Sequence, residues 1–267
     1  GSLVKASQQL NVTQSTVTAR LKSLEEELGQ SLINRQKSGA TVTAAGERLR
    51  RYAGTIADLW RQARQETALP DAMSSVCNIG CHPDLWANLG ERLFETIRQN
   101  YPQVALSVWH GREEETTRWL DGGLTDISLT YWPNANQMQV SSALVTDKLV
   151  LVTTEQDEQE KSKTDYVFVE AGEDFGKQHA ATFADANATR ISFGNAQLGL
   201  EHILKHGGSA YLPKRIVEPY LERKQLFLSL RSPVFERNAF IVINKSATKN
   251  WPWFENVIAG LSSLTKA

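Results

Sequence analysis

The stretch QSTVTARLKSLEEEL, residues 14–28, carries two different faces on one helical period. Val17, Leu21, Leu24 and Leu28 recur at spacings of three or four, and at about 100° per residue they share one narrow face. The opposite face carries Ser15, Thr18, Ala19 and Lys22, with Thr16 and Ser23 flanking. These side chains are small or hydrogen-bonding, with one cation. A helix that enters a major groove needs such a face, because bulky or acidic side chains would hold it off. The run Glu25–Glu27 fits only if it points away at the far end of the helix. Thr13 is a good N-cap, and the free amides of the first turn can face a phosphate. Upstream, Leu3–Leu10 reads as a short helix and Asn11-Val12 as a tight connection, which gives a helix-turn-helix layout. The same pattern also fits a helical pair inside an ordinary bundle, with the polar face merely solvated.

Outward from this pair, residues 3–69 read almost wholly helical, ending in a long segment from Thr43 to about Ala68. Its apolar positions Tyr52, Ile56, Leu59 with Trp60, and Ala63 form a seam that can pair with another helix. The opposite side is rich in arginine: Arg48, Arg50, Arg51, Arg61 and Arg64. The segment Leu69-Pro70-Asp71-Ala72-Met73-Ser74-Ser75 loses the periodicity and marks a domain boundary. Beyond it, strands alternate with amphipathic helices. Val76–Cys81, Val104–Trp109, Asp126–Tyr131, Lys148–Thr154, Tyr166–Glu170, Arg190–Phe193 and Ala239–Ile243 read as strands. Leu85–Arg98, Glu113–Leu120 and Trp253–Leu264 read as helices, and the polar run Glu155–Asp165 as a solvated loop. This alternation predicts α/β architecture with largely parallel sheets.

The whole chain of 267 residues has 29 Lys+Arg against 30 Asp+Glu. The balance is uneven: residues 1–70 hold ten basic and six acidic side chains, so the basic excess sits where a polyanion would be met. No run approaches the ~18 apolar residues of a membrane span, and no secretory leader is evident, so a cytoplasmic protein is expected. Cys77 and Cys81 are the two cysteines. Four residues apart in a strand, their Cα atoms would lie about 13 Å apart, and a disulfide needs less than ~7 Å. Buried thiols are expected, with no metal site and no cofactor. There is no Gly-x-Ser-x-Gly, no phosphate-binding glycine loop and no His-Glu-x-x-His, and the five histidines are scattered, so an enzyme is not expected.

Residues 1–35, followed by Thr-Val-Thr-Ala-Ala-Gly-Glu-Arg-Leu at 41–49, resemble the winged helix-turn-helix of LysR-type transcriptional regulators. The matching features are Gln14-Ser15 opening the recognition helix, Leu24-Glu25, Leu28-Gly29, Arg35 before the wing, and Thr43-Ala44-Ala45-Gly46 starting the linker helix. Ile33 stands where the family usually has phenylalanine. The sequence given starts where that family enters its second helix, so the helix that packs behind the recognition helix is expected to be missing. Leu59-Trp60-Arg61-Gln62-Ala63-Arg64 and Leu85-Trp86 resemble the HdfR-like branch of the family. The resemblance implies base or phosphate contacts for Gln14, Ser15, Thr16, Thr18 and Lys22, and phosphate contacts at the wing for Arg35 and Lys37. It also implies a homodimer or homotetramer built through the linker helix, on a pseudo-palindromic double-stranded DNA operator.

Asn100-Tyr101-Pro102, Gly122-Gly123-Leu124-Thr125-Asp126, and Gly207-Gly208 before Tyr211-Leu212-Pro213 are similar to landmarks of the family's effector-binding domain. The implied fold is an all-α winged helix-turn-helix and long linker helix, followed by an α/β effector domain of two subdomains like a periplasmic binding protein. The segments are 1–42, 43–69 and 70–267, with the first subdomain at about 76–150 and 240–267 and the second at about 151–239. Ligands in such sheets bind beyond strand carboxyl ends. That picks Cys81, His82 and Asp84, then His110, Tyr131, Trp132, Glu170 and Asn195, for a small-molecule effector. Asp84 at a helix start would itself satisfy amides and add negative charge, which weakens the case for an anionic effector. Two readings stand. One is a regulator whose DNA binding or bending is set by that effector. The other is a ligand-binding protein of the same effector fold that does not bind DNA.

Overall fold

The computed structural model describes residues 2–36, 39–70, 72–133, 135–155, 166–183, 190–248, 251, 253, 254, 256 and 257. The expected loop at Glu155–Asp165 lies outside the described residues except for Glu155, as does most of the expected closing helix at Trp253–Leu264. The chain divides into two compact units, Gly1–Ala68 and Leu69–Ala267.

In the first unit α1 (Leu3–Gln9) and α2 (Gln14–Leu28) form the expected helical pair. Asn11, at φ 50°, supplies the left-handed residue of the turn between them. Thr13 caps α2, its hydroxyl accepting the amide of Thr16 at 3.2 Å, and Gly29 closes the helix in the left-handed region at φ 61°. The region is less helical than the sequence suggests. β1 (Ile33–Gln36) and β2 (Gly39–Val42) form an antiparallel wing, Ile33 opposite Val42. Strands of four residues are too short to show a period against their helical flanks. The motif Thr43-Ala44-Ala45-Gly46 fixes the wing to α3 (Ala44–Thr67). The Thr43 amide donates to the Leu32 carbonyl at 2.9 Å, and the Gly46 amide to the Thr43 hydroxyl at 3.0 Å. A Cβ on Gly46 would collide with that same Leu32 carbonyl oxygen, so only glycine permits the approach.

The second unit is built on one mixed sheet in the order β4-β3-β5-β11-β6-β9-β7-β8. β3 (Ser75–Cys81) runs parallel to β4 (Val104–His110) and β5 (Ile127–Thr130). At the other end β7 (Tyr166–Val169) runs parallel to β8 (Ile191–Phe193) and β9 (Ser209–Pro213). Two long strands join these halves: β6 (Gln139–Thr153) and β11 (Phe235–Asn244), paired antiparallel from Phe235↔Leu149 to Asn244↔Gln139. The sheet is therefore parallel at its ends and antiparallel through its middle, not largely parallel. The β6 strand starts nine residues earlier than the apolar run at Lys148 because Gln139–Asp147 mixes buried and exposed residues across a register shift and does not run apolar. β10 (Phe227–Leu228) adds a short pairing to β6.

The core splits with the sheet. Ile79, Leu93, Ile97, Ile127, Leu129 and Ile241 are buried together in one half, and Val152, Leu200, Ile203, Ala210, Leu212 and Val217 in the other. Each buried Val, Leu or Ile side chain contributes about 1.5–3 kcal/mol. The expected helix Leu85–Arg98 is broken. α4 is a single turn, Pro83–Leu85, and α5 runs Glu91–Asn100. Between them Ala87 is extended and Asn88 is left-handed at φ 71°. Long-range bonds hold the break: Asn88 donates from Nδ2 to the Arg215 carbonyl at 2.8 Å, and the Arg215 guanidinium donates to the carbonyls of Ala87 and Asp84. α6 (Glu113–Asp121) follows β4, and α7 (Glu173–Thr182) follows β7. α8 (Ala196–His206), α9 (Lys214–Glu222) and α10 (Lys245–Thr248) follow among the described residues.

Candidate functional site

The polar face of α2 is open. Gln14, Ser15, Ala19 and Lys22 are exposed, and Thr16 and Thr18 are half-buried. The hydroxyl of Thr13 also meets those of Ser15 and Thr16, each at 2.8 Å, which fixes the side chains of the first turn. Lys22 lies 3.4 Å from Glu26, and both side chains stand mostly in solvent, at 74% and 66% exposure. Such a pair contributes little stability, so Lys22 can exchange it for a phosphate at small cost. Glu25 turns back and does not face outward: its Oε1 accepts the amides of Leu32 at 2.7 Å and Ile33 at 3.2 Å, capping the entry to the wing. Arg35 lies in β1 opposite Ala40, and Lys37 lies outside the described residues. On α3 the seam residues Tyr52, Ile56, Leu59 and Trp60 are exposed, Trp60 to 68%.

In the second unit the carboxyl ends of β3 and β5 meet β6, β11 and the starts of α8 and α9 around a buried charged cluster. Asp84 is 2% exposed. Its Oδ1 accepts the amide of Ala196 at 2.7 Å, and its Oδ2 pairs with Arg237 at 2.9 Å. Arg215 pairs with Asp147 at 3.1 Å, and Tyr131 donates its hydroxyl to the same Asp147 oxygen at 2.6 Å. The Arg237 guanidinium lies over the Tyr131 ring, 3.7 Å from its centre, and donates to the Ala171 carbonyl at 3.2 Å. His82 is buried edge-on against Tyr131, with 5.1 Å between ring centres. Its Nδ1 accepts the Asp84 amide at 3.2 Å, and its Nε2 is 3.6 Å from Glu113. Burial lowers the His82 pKa, although Asp84 and Glu113 pull the other way. Burial likewise pushes the Tyr131 hydroxyl well above its ordinary range, so it stays protonated as a donor.

Of the sequence-predicted cleft residues, His82, Asp84 and Tyr131 come together here, and Asn195 caps the helix that meets Asp84, its Oδ1 accepting the Leu198 amide at 2.9 Å. Cys81 is wholly buried in the core beneath them, its thiol pushed up to about 12 by burial, and Cys77 is buried and free as well. His110 is exposed and leans on the ring of Trp86. Trp132 is exposed, and Glu170 is exposed with its carboxylate turned to the amide of Gly172. None of these three joins the charged cluster. Asp147, Arg215 and Arg237 were not anticipated. Asp147 and Arg237 carry one signal in the sequence, a charged pair set in an apolar run (Asp147-Lys148 within ALVTDKLVLV, Glu236-Arg237 within FERNAFIVI), and Arg215 carries none. Among the described residues no group of three or more His, Cys, Asp or Glu side chains is placed to hold a metal, and no helix is long and apolar enough to cross a membrane.

Comparison with known proteins agrees with both units. Residues 1–47 match the model of the bacterial regulatory helix-turn-helix protein, LysR family, and residues 71–251 match the LysR substrate binding domain. The chain is 29% identical over 245 residues to the transcriptional regulator YofA of Bacillus subtilis, covering 88% of this chain and 84% of that protein. It is 26% identical over 213 residues to the regulator HdfR of Escherichia coli, covering 78% and 75%. Its fold is similar to full-length LysG of Corynebacterium glutamicum with bound effector Arg, at TM-score 0.57, 18% identity and coverage of 98% and 93%. It is also similar to Vibrio fischeri DarR in complex with DNA, at TM-score 0.58, 19% identity and coverage of 94% and 92%. A helix-turn-helix with its wing, a long apolar-seamed helix and a two-lobed mixed sheet, matched along nearly the whole sequence, make this chain a member of the LysR family of transcriptional regulators, with an effector-binding domain after its DNA-binding module.

Proposed function

We propose that the chain works in the cytoplasm as an oligomeric operator-binding regulator that acts by binding and not by catalysis. Residues 1–42 read double-stranded DNA, residues 43–69 join two copies, and residues 70–267 take a small-molecule effector. Gln14, Ser15, Thr16, Thr18 and Lys22 face the major groove, and Arg35 and Lys37 hold phosphates at the wing. The observation that carries this reading is the exposed, acid-free first half of α2, with Glu25 folded back onto the wing amides. Apposed α3 seams would bring two recognition helices to successive half-sites of a pseudo-palindromic operator. The effector site is the cluster around His82, Asp84, Tyr131 and Asn195, with Cys81 in the core beneath it and His110, Trp132 and Glu170 at the strand ends outside it. A ligand that binds one arrangement of the two lobes better than another would change the spacing of the paired DNA-binding modules.

The test is selection of bound fragments from sheared genomic DNA at two salt concentrations. Enrichment of a dyad-symmetric site, with affinity falling steeply as salt rises, is expected. No enrichment at low salt would overturn the DNA-binding reading. The oligomer is tested by sedimentation of Ile56→Glu: it should shift the wild-type assembly toward the monomer, and an unchanged assembly would move the interface off α3.

A further inference from the structure

Asp84 fills a carboxylate position from within the chain. Asn195 caps α8 through the amide of Leu198, which leaves the amide of Ala196 for another acceptor. That acceptor is Asp84, 112 residues away in sequence, through Oδ1 at 2.7 Å. The second oxygen of the same carboxylate meets the guanidinium of Arg237 at 2.9 Å, 153 residues away. One helix-terminal amide and one guanidinium, aimed at a common point, are the donors a free carboxylate would need. Asp84 also bridges the lobes, since α4 follows β3 in one and α8 packs on the core of the other. Its own carbonyl accepts from Arg215, so backbone and side chain both hold it in place.

Charge in the cluster is already matched. Arg215 faces Asp147, and Arg237 faces Asp84, all four nearly buried at 15%, 2%, 11% and 1% side-chain exposure. A further carboxylate here would leave a surplus buried anion, which costs far more than a solvated one. We propose that Asp84 is a tethered ligand: it occupies the point where an acidic effector would bridge the lobes, so the native effector brings no carboxylate to this position, and removing the Asp84 side chain creates a site that small monocarboxylates refill. This rests on the reading of the cluster as the effector site.

The experiment is thermal unfolding of the full chain, wild type and Asp84→Ala, titrated with sodium acetate and, in parallel, with sodium chloride at equal ionic strength. In chloride Asp84→Ala should unfold several degrees below wild type. Acetate should raise its midpoint saturably, by about 3 °C or more beyond chloride, while wild type responds equally to the two salts. Equal response of Asp84→Ala to acetate and chloride, or the same acetate gain in wild type, would overturn the proposal. Should Asp84→Ala yield no folded protein, Asp84→Ser takes its place. Its hydroxyl can accept the Ala196 amide while leaving Arg237 unmatched, so a saturable acetate gain supports the proposal and none overturns it. The effector reading is tested separately, by the response of wild-type operator binding to metabolites, and can fail while acetate still rescues Asp84→Ala.

Discussion

At the start of α2 the Thr13 hydroxyl accepts the amide of Thr16, and at the start of α8 the Asn195 carbonyl oxygen accepts the amide of Leu198. Both helices are capped three residues ahead by a short polar side chain, yet their neighbours do opposite things. Around α2 the next residues, Gln14 and Ser15, stand in solvent. Around α8 the next amide, Ala196, is sealed by Asp84 from the other lobe, with two arginines and a second aspartate behind it. A helix start that is to meet a large polyanion is left open. One whose anion is supplied by the chain is buried and neutralised. The same backbone chemistry braces the lobes of the second unit and, under the function proposed above, is free for recognition in the first.

The contrast is sharpest in stability. Removing either Asp84 or Arg237 leaves a buried charge without its partner, so Asp84→Ala and Arg237→Met should each cost about 3–5 kcal/mol in denaturant unfolding. The double variant should cost clearly less than the sum of the two, because neither charge is then stranded. Additive losses would mean that the pair does not act as a unit. By comparison, no single substitution on the exposed face of α2 should move stability by more than about 0.5 kcal/mol.

A smaller effect is expected where the first unit does depend on close packing. Gly46→Ala places a methyl against the Leu32 carbonyl and the Val42 side chain. It should destabilise the unit by about 1–3 kcal/mol, despite the better helix propensity of alanine, and should weaken DNA binding without touching the second unit. Amide hydrogen exchange should quicken in the wing and in the first turns of α3, and should stay unchanged in the strands of the second unit. A stabilised variant would show that the wing can yield.

The smallest effect concerns protons. Burial lowers the pKa of His82 in the folded chain, so near pH 6.5 the unfolded chain binds a proton that the folded chain does not. Stability should therefore fall as pH drops below about 6.5 and level off once folded His82 itself titrates. His82→Gln, which keeps an acceptor for the Asp84 amide, should make that decline shallower. Some slope should remain, because burial also lowers the pKa of His110 and His179. An identical pH profile in the variant would show that His82 is not the group responsible.

What the sequence makes legible follows the range of the interactions. The cap at Thr13 and the αL closure at Gly29 depend on neighbours a few residues away, and the close approach at Gly46 on Leu32 within the same winged motif; each is visible as a residue type at a fixed spacing. The helix break at Ala87-Asn88 is invisible, because Leu85–Arg98 has a good helical period and the break is held by Arg215, more than a hundred residues on. Asp84 is legible as a helix-start acid, but the amide it satisfies belongs to α8 and not to its own turn. Arg215 directly follows the Leu212-Pro213-Lys214 stretch at a helix start, where an arginine would ordinarily be solvated, and only the topology turns it inward. Cys81, His110, Trp132 and Glu170 sit at the expected strand ends, but their side chains turn to the core or to solvent rather than to the charged cluster. Strand ends locate a site; which side chains enter it depends on long-range partners.

The division of labour between the units is tested most directly by the salt dependence of binding to the selected operator, for wild type and Lys22→Ala. Log affinity of the wild type should fall steeply and linearly with log salt. In Lys22→Ala the slope should be shallower by about one, as expected when one cation no longer neutralises a phosphate, at every operator sequence tried. An identical slope in Lys22→Ala would contradict the placement of the α2 face on DNA.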